Sequence, residues 1–233
     1  MIAWIKNIFT KKASGDESPR RFFTSDLHFG HANVINYCDR PYATKEEMNE
    51  DLVRIWNARV RPQDIVEVLG DFSLSPRYLE EIMPRLNGTK HLITGNHDKC
   101  FGYKTNAKAK KILDRYLKVF VTVKDGDIIE LKNGRKVLMS HFPYRNRDGR
   151  KYDQRYWDQR PMDQGMVLLH GHIHCAYVKM GRLIDVGFDG KLDLWSEDEI
   201  IELINDDRDF IPSRITQWRE NNNRNRKEED DGV

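Results

Sequence analysis

The 233-residue sequence has little cysteine, little net charge and no long apolar segment. Its three cysteines, Cys38, Cys100 and Cys175, are an odd number without metal-binding spacing. They argue against a disulfide-based fold and favour a reducing, cytoplasmic setting. No stretch approaches the roughly 18 apolar residues of a membrane span. The formal net charge of +2 gives no overall attraction to nucleic acid or to a membrane surface.

The distribution of polar residues predicts one folded domain between two polar ends. Hydrophobic residues make up only 39% of the chain and charged residues 33%, but the middle of the chain holds enough apolar runs for a core. We expect residues 1–19 to form an N-terminal extension and linker, and residues 20–211 to form the domain. Residues 212–233 are expected to be a polar, disordered tail.

Predicted strands alternate with predicted helices in the first half of the chain, and in the second half neighbouring strands form hairpins. This pattern predicts a mixed α/β domain. The expected helices are 32–38, 42–60, 77–86, 104–116 and one from Ser196 to about Ile204. The expected strands are 21–25, 65–69, 91–94, 119–123, 127–131, 135–139, 166–169, 176–179 and 182–186. Thr44 and Ser196 are the expected N-caps, each with a glutamate three residues later that completes a capping box.

Five short motifs carry Asp, Asn and His side chains directly after apolar runs. They are Asp26-Leu27-His28, Gly70-Asp71, Gly95-Asn96-His97-Asp98, Ser140-His141 and Gly171-His172-Ile173-His174. Because the ends of neighbouring strands meet at one rim of a sheet, we expect these side chains to converge. Regular pleating would also turn Asp26 and His28 to the same face. The donors are sufficient for two cations that share one carboxylate.

In this order the motifs resemble the pattern of the calcineurin-like metallophosphoesterase superfamily, which reads D-x-H, GD, GNH(D/E), H and GHxH. A lone Gly-Asp is common in any sequence, but five motifs in the correct order over residues 26–174 are specific. The resemblance implies two packed mixed β-sheets flanked by helices. It also implies a hydrolase in which two cations activate a water molecule for in-line attack on phosphorus.

The resemblance also implies which residues hold the two divalent cations. One cation is expected at Asp26, His28, Asp71 and His174. The other is expected at Asp71, Asn96, His141 and His172. Mn²⁺ is our first expectation, with Fe, Zn²⁺, Ni²⁺ and Co²⁺ left open, because mixed oxygen and nitrogen donors suit all of them.

Further residues are expected to act on the substrate. His97 and Asp98 are the candidate catalytic residues, with His97 protonating the leaving oxygen or stabilising the phosphoryl charge. An alternative is that His97 only orders its loop. Asn96 is expected to contact the substrate as well as a metal. His31 is expected to face the substrate phosphate. A role in supporting the metal ligands, or in capping a helix, is equally open.

The segment between the last two motifs, residues 142–164, is rich in arginine and aromatic residues. Arg145 is the candidate substrate-binding residue, with Arg147, Tyr156 and Trp157 nearby. Arginine could pair with phosphate, and aromatic rings could stack on a base. The alternative is a solvated connection whose aromatic side chains pack in the core.

These observations favour a phosphodiesterase that acts on a nucleotide or a short nucleic acid. The segment Gly70–Pro76 lacks the GDxxDRG pattern of the protein Ser/Thr phosphatase branch, which argues against that class. The alternative is a phosphomonoesterase or pyrophosphohydrolase on a small phosphorylated metabolite. A non-catalytic scaffold is a remote alternative, because every expected ligand is retained. A small phosphorylated or nucleotide substrate is the expected partner; nucleic acid is possible but not required.

Overall fold

The computed structural model describes residues 17–145, 156–174 and 176–211. The strands are β1 (Arg21–Thr24), β2 (Ile65–Val68), β3 (Thr89–Ile93), β4 (Thr122–Lys124), β5 (Asp127–Glu130), β6 (Lys136–Met139), β7 (Val167–His170), β8 (Lys179–Met180), β9 (Leu183–Asp185) and β10 (Trp195–Ser196). The helices are α1 (Ala32–Tyr37), α2 (Lys45–Arg59), α3 (Pro76–Ile82), α4 (Ala107–Leu117) and α5 (Glu197–Asn205). Our expectations for residues 1–16, Arg147, Cys175 and residues 212–233 lie outside the described residues.

The strands form two mixed sheets of five strands each. The first has the order β10-β1-β2-β3-β4, with β1 to β4 parallel and β10 antiparallel at one edge. The second has the order β5-β6-β7-β9-β8, with β6, β7 and β9 parallel. Helices α1 to α4 lie in the crossover connections that parallel neighbours require. This confirms the predicted α/β fold of two mixed sheets flanked by helices.

Alternate residues of the first sheet pack into two different cores. Phe22 and Leu92 pack with apolar residues of α1 to α4, on the helix-covered face. Phe23 and Ile93 pack with residues of β6, β7 and β9, between the two sheets. Because both faces of β1 and β2 are buried, the segments 22–24 and 65–69 are largely apolar. The same burial fixes where each strand ends, and therefore where the motif that follows it lies.

Several predicted element boundaries differ from the structure, and two of the differences have clear local reasons. Helix α4 begins at Ala107 rather than at residue 104, because the Asn106 side chain accepts hydrogen bonds from the amides of Lys108 and Ala109. Strand β4 begins later than expected, because the amides of residues 119 and 120 still bond to the carbonyl of Tyr116. The two-residue strand β10 was not predicted. Within the described ranges, no helix has both the length and the apolar character needed to cross a membrane.

The predicted caps are present, but only one forms a full capping box. Thr44 accepts a hydrogen bond from the Glu47 amide at the start of α2, whereas the Glu47 carboxylate bonds to the amide of Ala43 instead of Thr44. At α5 the Ser196 side chain accepts a hydrogen bond from the Glu199 amide, and the Glu199 carboxylate accepts one from the Ser196 amide. Ser196 also belongs to β10, so this box fixes the transition from the sheet edge into the helix.

Candidate metal centre

The five motifs meet where the parallel strands of both sheets end. The first expected ligand of each motif follows the carboxyl end of β1, β2, β3, β6 or β7 by two or three residues. Backbone hydrogen bonds join the turns, from the Asp26 amide to the Gly70 carbonyl at 3.0 Å and from the Gly171 amide to the His141 carbonyl at 3.1 Å. The convergence expected from the sequence is therefore present in the structure.

The chain around the ligands is not a regular pleat. The φ angles are 57° at Asp26, 55° at His28 and 54° at Asp71, and they are 71° at His172 and 47° at His174. The prediction that strand pleating aligns Asp26 with His28 is therefore wrong, because both residues adopt the left-handed conformation. That conformation is uncommon for residues other than glycine and tends to cluster at functional sites.

Four predicted ligands form the first group. Oδ1 of Asp26 lies 3.9 Å from Nε2 of both His28 and His174. Oδ2 of Asp71 lies 3.6 Å from Nε2 of His28. The three residues Asp26, His28 and His174 are spaced closely enough for their ligand atoms to share one metal ion.

The second group uses the same oxygen of Asp71. Nε2 of His141 lies 3.5 Å from Oδ2 of Asp71 and 3.2 Å from Oδ1 of Asn96. The His141 ring is held from behind, because Nδ1 donates a hydrogen bond to the Leu69 carbonyl at 2.8 Å. The His172 ring is edge-on to the His141 ring, with centroids 5.2 Å apart. Asp71 thus lies between the two groups, where a carboxylate could serve two cations.

Buried polar atoms without partners show that the site suits cations. Oδ1 of Asp26, both ring nitrogens of His28 and Nε2 of His172 are buried and make no hydrogen bond. Such atoms are rare in folded proteins, since leaving one unpaired costs about 1–3 kcal/mol. All three side chains belong to predicted ligands, and a divalent cation would satisfy them.

The protonation states also fit. Burial lowers the pKa of His28 well below its usual range and the pKa of His172 to about 2, so both rings are neutral, as metal ligands must be. Burial also acts on His141, but the charge of Asp71 outweighs it and raises the pKa of His141 to about 9. A cation shared with Asp71 would take the place of that proton.

The motif glycines allow the ligand loops to approach each other closely. A Cβ atom on Gly95 would lie 2.3 Å from Oδ1 of Asp71. One on Gly171 would lie 2.3 Å from Oδ2 of Asp26. These glycines are therefore required by the position of a ligand carboxylate from another motif.

Asp98 holds the turns in place and does not face the cations. Its buried carboxylate accepts hydrogen bonds from the amides of Gly95 at 2.9 Å, Asp71 at 3.0 Å and Phe72 at 3.2 Å. Burial and the nearby charge of Asp71 raise the pKa of Asp98 to about 7. Because both oxygens accept from the backbone, these contacts favour a positioning role for Asp98, and its catalytic role stays a prediction.

His97 and His31 both lie beside the first group. The centroid of the His28 ring is 5.1 Å from that of His97 and 5.2 Å from that of His31. The His97 amide donates to Oδ1 of Asp71 at 2.8 Å, which fixes the loop beside the shared carboxylate. His31 is the N-cap residue of α1, but its side chain makes no capping hydrogen bond. Nδ1 of His31 is buried without a partner, so the capping alternative has no support.

Arg145 is bound to its own segment. Its Nε donates to the Arg160 carbonyl at 3.1 Å, and its guanidinium lies over the Trp157 ring, 5.5 Å from the centroid. Tyr156, by contrast, reaches the site. Its ring stacks on Phe142 at 5.1 Å between centroids and is edge-on to His172 at 5.9 Å. The sequence did not indicate whether Tyr156 would fold back in this way.

Two residues at the site were missed by the sequence analysis. Oδ2 of Asp189 accepts a hydrogen bond from Nδ1 of His174 at 2.9 Å, and Arg40 binds the same carboxylate. The only signal for Asp189 in the sequence is weak: the predicted strand 182–186 is followed by Gly187-Phe188-Asp189. No local pattern pointed to Arg40. The sulfur of Cys38 also lies 3.2 Å from Nδ1 of His174, whereas Cys100 is buried in the core.

Two other histidines have structural partners away from the ligand groups. Nδ1 of His91 bonds to the Thr122 hydroxyl across neighbouring strands at 2.9 Å. Both ring nitrogens of His170 are occupied, by the Gly171 carbonyl at 2.9 Å and the Tyr177 hydroxyl at 3.2 Å. These contacts indicate structural roles for both rings.

Known proteins share both the sequence and the fold. The gene 66 proteins of the Mycobacterium phages D29 and L5 are each 34% identical to this chain. The two alignments cover 195 and 202 residues, which is 79% of this chain and 96% and 93% of the phage proteins. The crystal structure of AQ665 from Aquifex aeolicus, a protein of unknown function, matches with a TM-score of 0.61 and 27% identity. That match covers 80% of this chain and all of AQ665.

The profile of the calcineurin-like phosphoesterases matches residues 19–211, which include all five motifs and both ligand groups. The chain belongs to the calcineurin-like phosphoesterase family.

Proposed function

We propose that the protein is a phosphodiesterase that hydrolyses a nucleotide or a short nucleic acid with the help of two divalent cations. Family membership implies metal-dependent phosphoester hydrolysis. The observation that carries the proposal further is the aromatic ring of Tyr156 beside the ligand His172. A diester has a second organic substituent on phosphorus, and this ring offers that substituent a surface.

The proposed ligand sets are those expected from the sequence. Asp26, His28, Asp71 and His174 hold one cation, and Asp71, Asn96, His141 and His172 hold the other. When bound, the cations supply an acidified water molecule and neutralise charge on the phosphoryl oxygens. Mn²⁺ is the proposed metal, because hard carboxylate and amide oxygens accompany the imidazoles. His97 and His31 lie beside the ligands, where they can contact the phosphoryl group or the leaving oxygen.

Aromatic side chains are positioned at both ends of the ligand cluster. Tyr156 is half-buried and rests on Phe142, which fixes the ring without help from a substrate. At the other end, Tyr37 is 64% exposed and edge-on to His31, with centroids 6.3 Å apart. Stacking of a base on an aromatic ring contributes about 1–3 kcal/mol and is tolerant of sequence. These rings support a nucleoside on either side of the reacting phosphate.

The reaction class is tested by comparing two artificial esters. The protein, stripped of metal and reloaded with Mn²⁺, is expected to hydrolyse bis-p-nitrophenyl phosphate with a higher kcat/KM than p-nitrophenyl phosphate. Preference for the monoester would favour the phosphomonoesterase alternative. No turnover with any divalent metal would favour a scaffold.

Binding of the nucleoside is tested with two diesters that share one leaving group. Thymidine 5′-(p-nitrophenyl phosphate) carries a base, and methyl p-nitrophenyl phosphate does not. Replacing Tyr156 with Leu should raise KM for the thymidine ester about 5- to 150-fold, which corresponds to the free energy of one stacked base. The methyl ester should be affected much less, because it has no group that reaches the ring.

The matched control is Tyr103→Leu. This removes another half-buried tyrosine, whose hydroxyl bonds to the Val123 carbonyl on the edge strand β4. It should leave the ratio of the two KM values unchanged. Equal losses on both esters in Tyr156→Leu would show that the ring supports His172 or the segment, and the nucleoside proposal would lose its main support.

A further inference from the structure

Arg40 and Asp189 form a buried ion pair behind the first ligand group. Only 4% of Arg40 and 3% of Asp189 are exposed. The pairing is bidentate, with Nε to Oδ1 at 2.8 Å and Nη2 to Oδ2 at 3.0 Å. A buried pair of this kind is costly to assemble and contributes little net stability, so its presence calls for another explanation.

The pair contacts both ends of the ligand set. Nη2 of Arg40 also donates to the Asp26 carbonyl at 2.6 Å, and Nη1 donates to the Leu27 carbonyl at 2.9 Å. These carbonyls belong to the turn in which Asp26 and His28 both have positive φ. On the other side, Oδ2 of Asp189 accepts from Nδ1 of His174. One ion pair therefore connects the first motif with the last.

The cluster of Cys38, His174 and Asp189 could be taken for a metal site of its own, since its ligand atoms lie close together. The contacts of Asp189 argue against that. Both oxygens of Asp189 already accept from the Arg40 guanidinium. A metal ion bound to Cys38, His174 and Asp189 would therefore lie next to the positive charge of Arg40. Burial disfavours the ionised carboxylate, but the Arg40 charge outweighs this and holds the pKa of Asp189 below its usual range.

We infer that Arg40 and Asp189 are positioning residues that orient His174 and the Asp26 turn for the cation at Asp26, His28, Asp71 and His174. A hydrogen bond from Nδ1 to Asp189 fixes the tautomer of His174 with Nε2 free and makes that nitrogen a stronger donor to a metal. Arg40 holds both carboxylate oxygens of Asp189 and the backbone of the Asp26 turn. The other cation receives no such support from this pair, since His141 is held by the Leu69 carbonyl instead.

The inference rests on the metal assignment proposed above, but not on the preference for diesters. The test is titration of the metal-stripped full-length protein with Mn²⁺ by calorimetry, which needs no substrate. Asp189→Asn should weaken one of the two sites about 10- to 100-fold and leave the other unchanged. Arg40→Lys should act in the same direction, because an ammonium group cannot donate to both carboxylate oxygens and to two carbonyls.

Asp64→Asn is the matched structural control. Asp64 is also a buried carboxylate held by two arginines, with Arg20 and Arg61 each at 2.8 Å. It precedes β2, at the end of the strand opposite Asp71. Asp64→Asn should lower the thermal midpoint of the metal-free protein without changing Mn²⁺ affinity. If Asp189→Asn does the same, the pair is structural and the inference is overturned.

A direct-ligand variant, Asp26→Asn, separates this inference from the metal assignment. If Asp26→Asn weakens one site and Asp189→Asn does not, only the positioning role fails. If neither changes Mn²⁺ binding, the metal assignment itself fails. Should Asp189→Asn not fold, Arg40→Lys decides alone, and wild-type affinity at both sites in that variant overturns the inference.

Discussion

Replacing Asp71 with Asn is expected to reduce kcat by about 10²- to 10⁴-fold and to lower the metal content of the protein. Oδ2 of Asp71 lies 3.6 Å from His28 in one ligand group and 3.5 Å from His141 in the other. An amide offers one neutral oxygen, so it serves two cations poorly. Charge stabilisation by a metal contributes several kcal/mol, and about 3–5 kcal/mol corresponds to this loss of rate.

The measurement is metal content by mass spectrometry together with steady-state rates on the same preparation. Asp64→Asn is the matched control, since Asp64 is a buried carboxylate at the opposite end of β2 from Asp71. It lies away from both ligand groups, so both metals should be retained. If Asp71→Asn keeps two metals and a near-normal rate, the assignment of Asp71 to both cations is wrong.

The fold could be predicted because β1 and β2, in the middle of the first sheet, are buried on both faces. Residues 65–69 and 91–94 are short apolar runs between clear turn signals, and the motifs follow them directly. Strand β10 gave no comparable signal, since it has two residues and, within the part of the chain that the structure describes, it pairs with β1 alone. The start of α4 depended on the Asn106 cap, which lies inside a basic, helix-favouring run.

The residues of the five motifs that converge could be named from the sequence, but their geometry could not. The side chains of Asp26 and His28 converge through left-handed backbone rather than through a pleat. That conformation is imposed on residues other than glycine by contacts with other motifs, for example the bond from the Asp26 amide to the Gly70 carbonyl. Local sequence does not record such contacts. The same holds for Arg40 and Asp189, whose pairing joins positions 149 residues apart.

His97→Ala is expected to lower kcat by about 10²- to 10⁴-fold on diesters with an alkoxide leaving group, and much less on p-nitrophenyl esters. A general acid contributes a factor of this size when the leaving oxygen needs a proton, and little when it does not. His97 is the candidate because its ring lies 5.1 Å from that of His28, at the edge of the first ligand group. Both metals should stay bound, since no predicted ligand is changed.

The measurement compares thymidylyl-thymidine with thymidine 5′-(p-nitrophenyl phosphate), which carry the same base and differ in leaving group. His31→Ala is the control, because the His31 ring lies at a similar distance from His28, 5.2 Å between centroids. A residue that only neutralises phosphoryl charge should slow both substrates alike, whereas an acid should slow only the dinucleotide. For the dinucleotide, a general acid makes the rate fall at high pH, where the acid has lost its proton. If that fall disappears in His97→Ala and remains in His31→Ala, the proton transfer is assigned to His97. Equal losses on both substrates would instead assign His97 to charge stabilisation or to the position of Asp71, whose Oδ1 accepts the His97 amide.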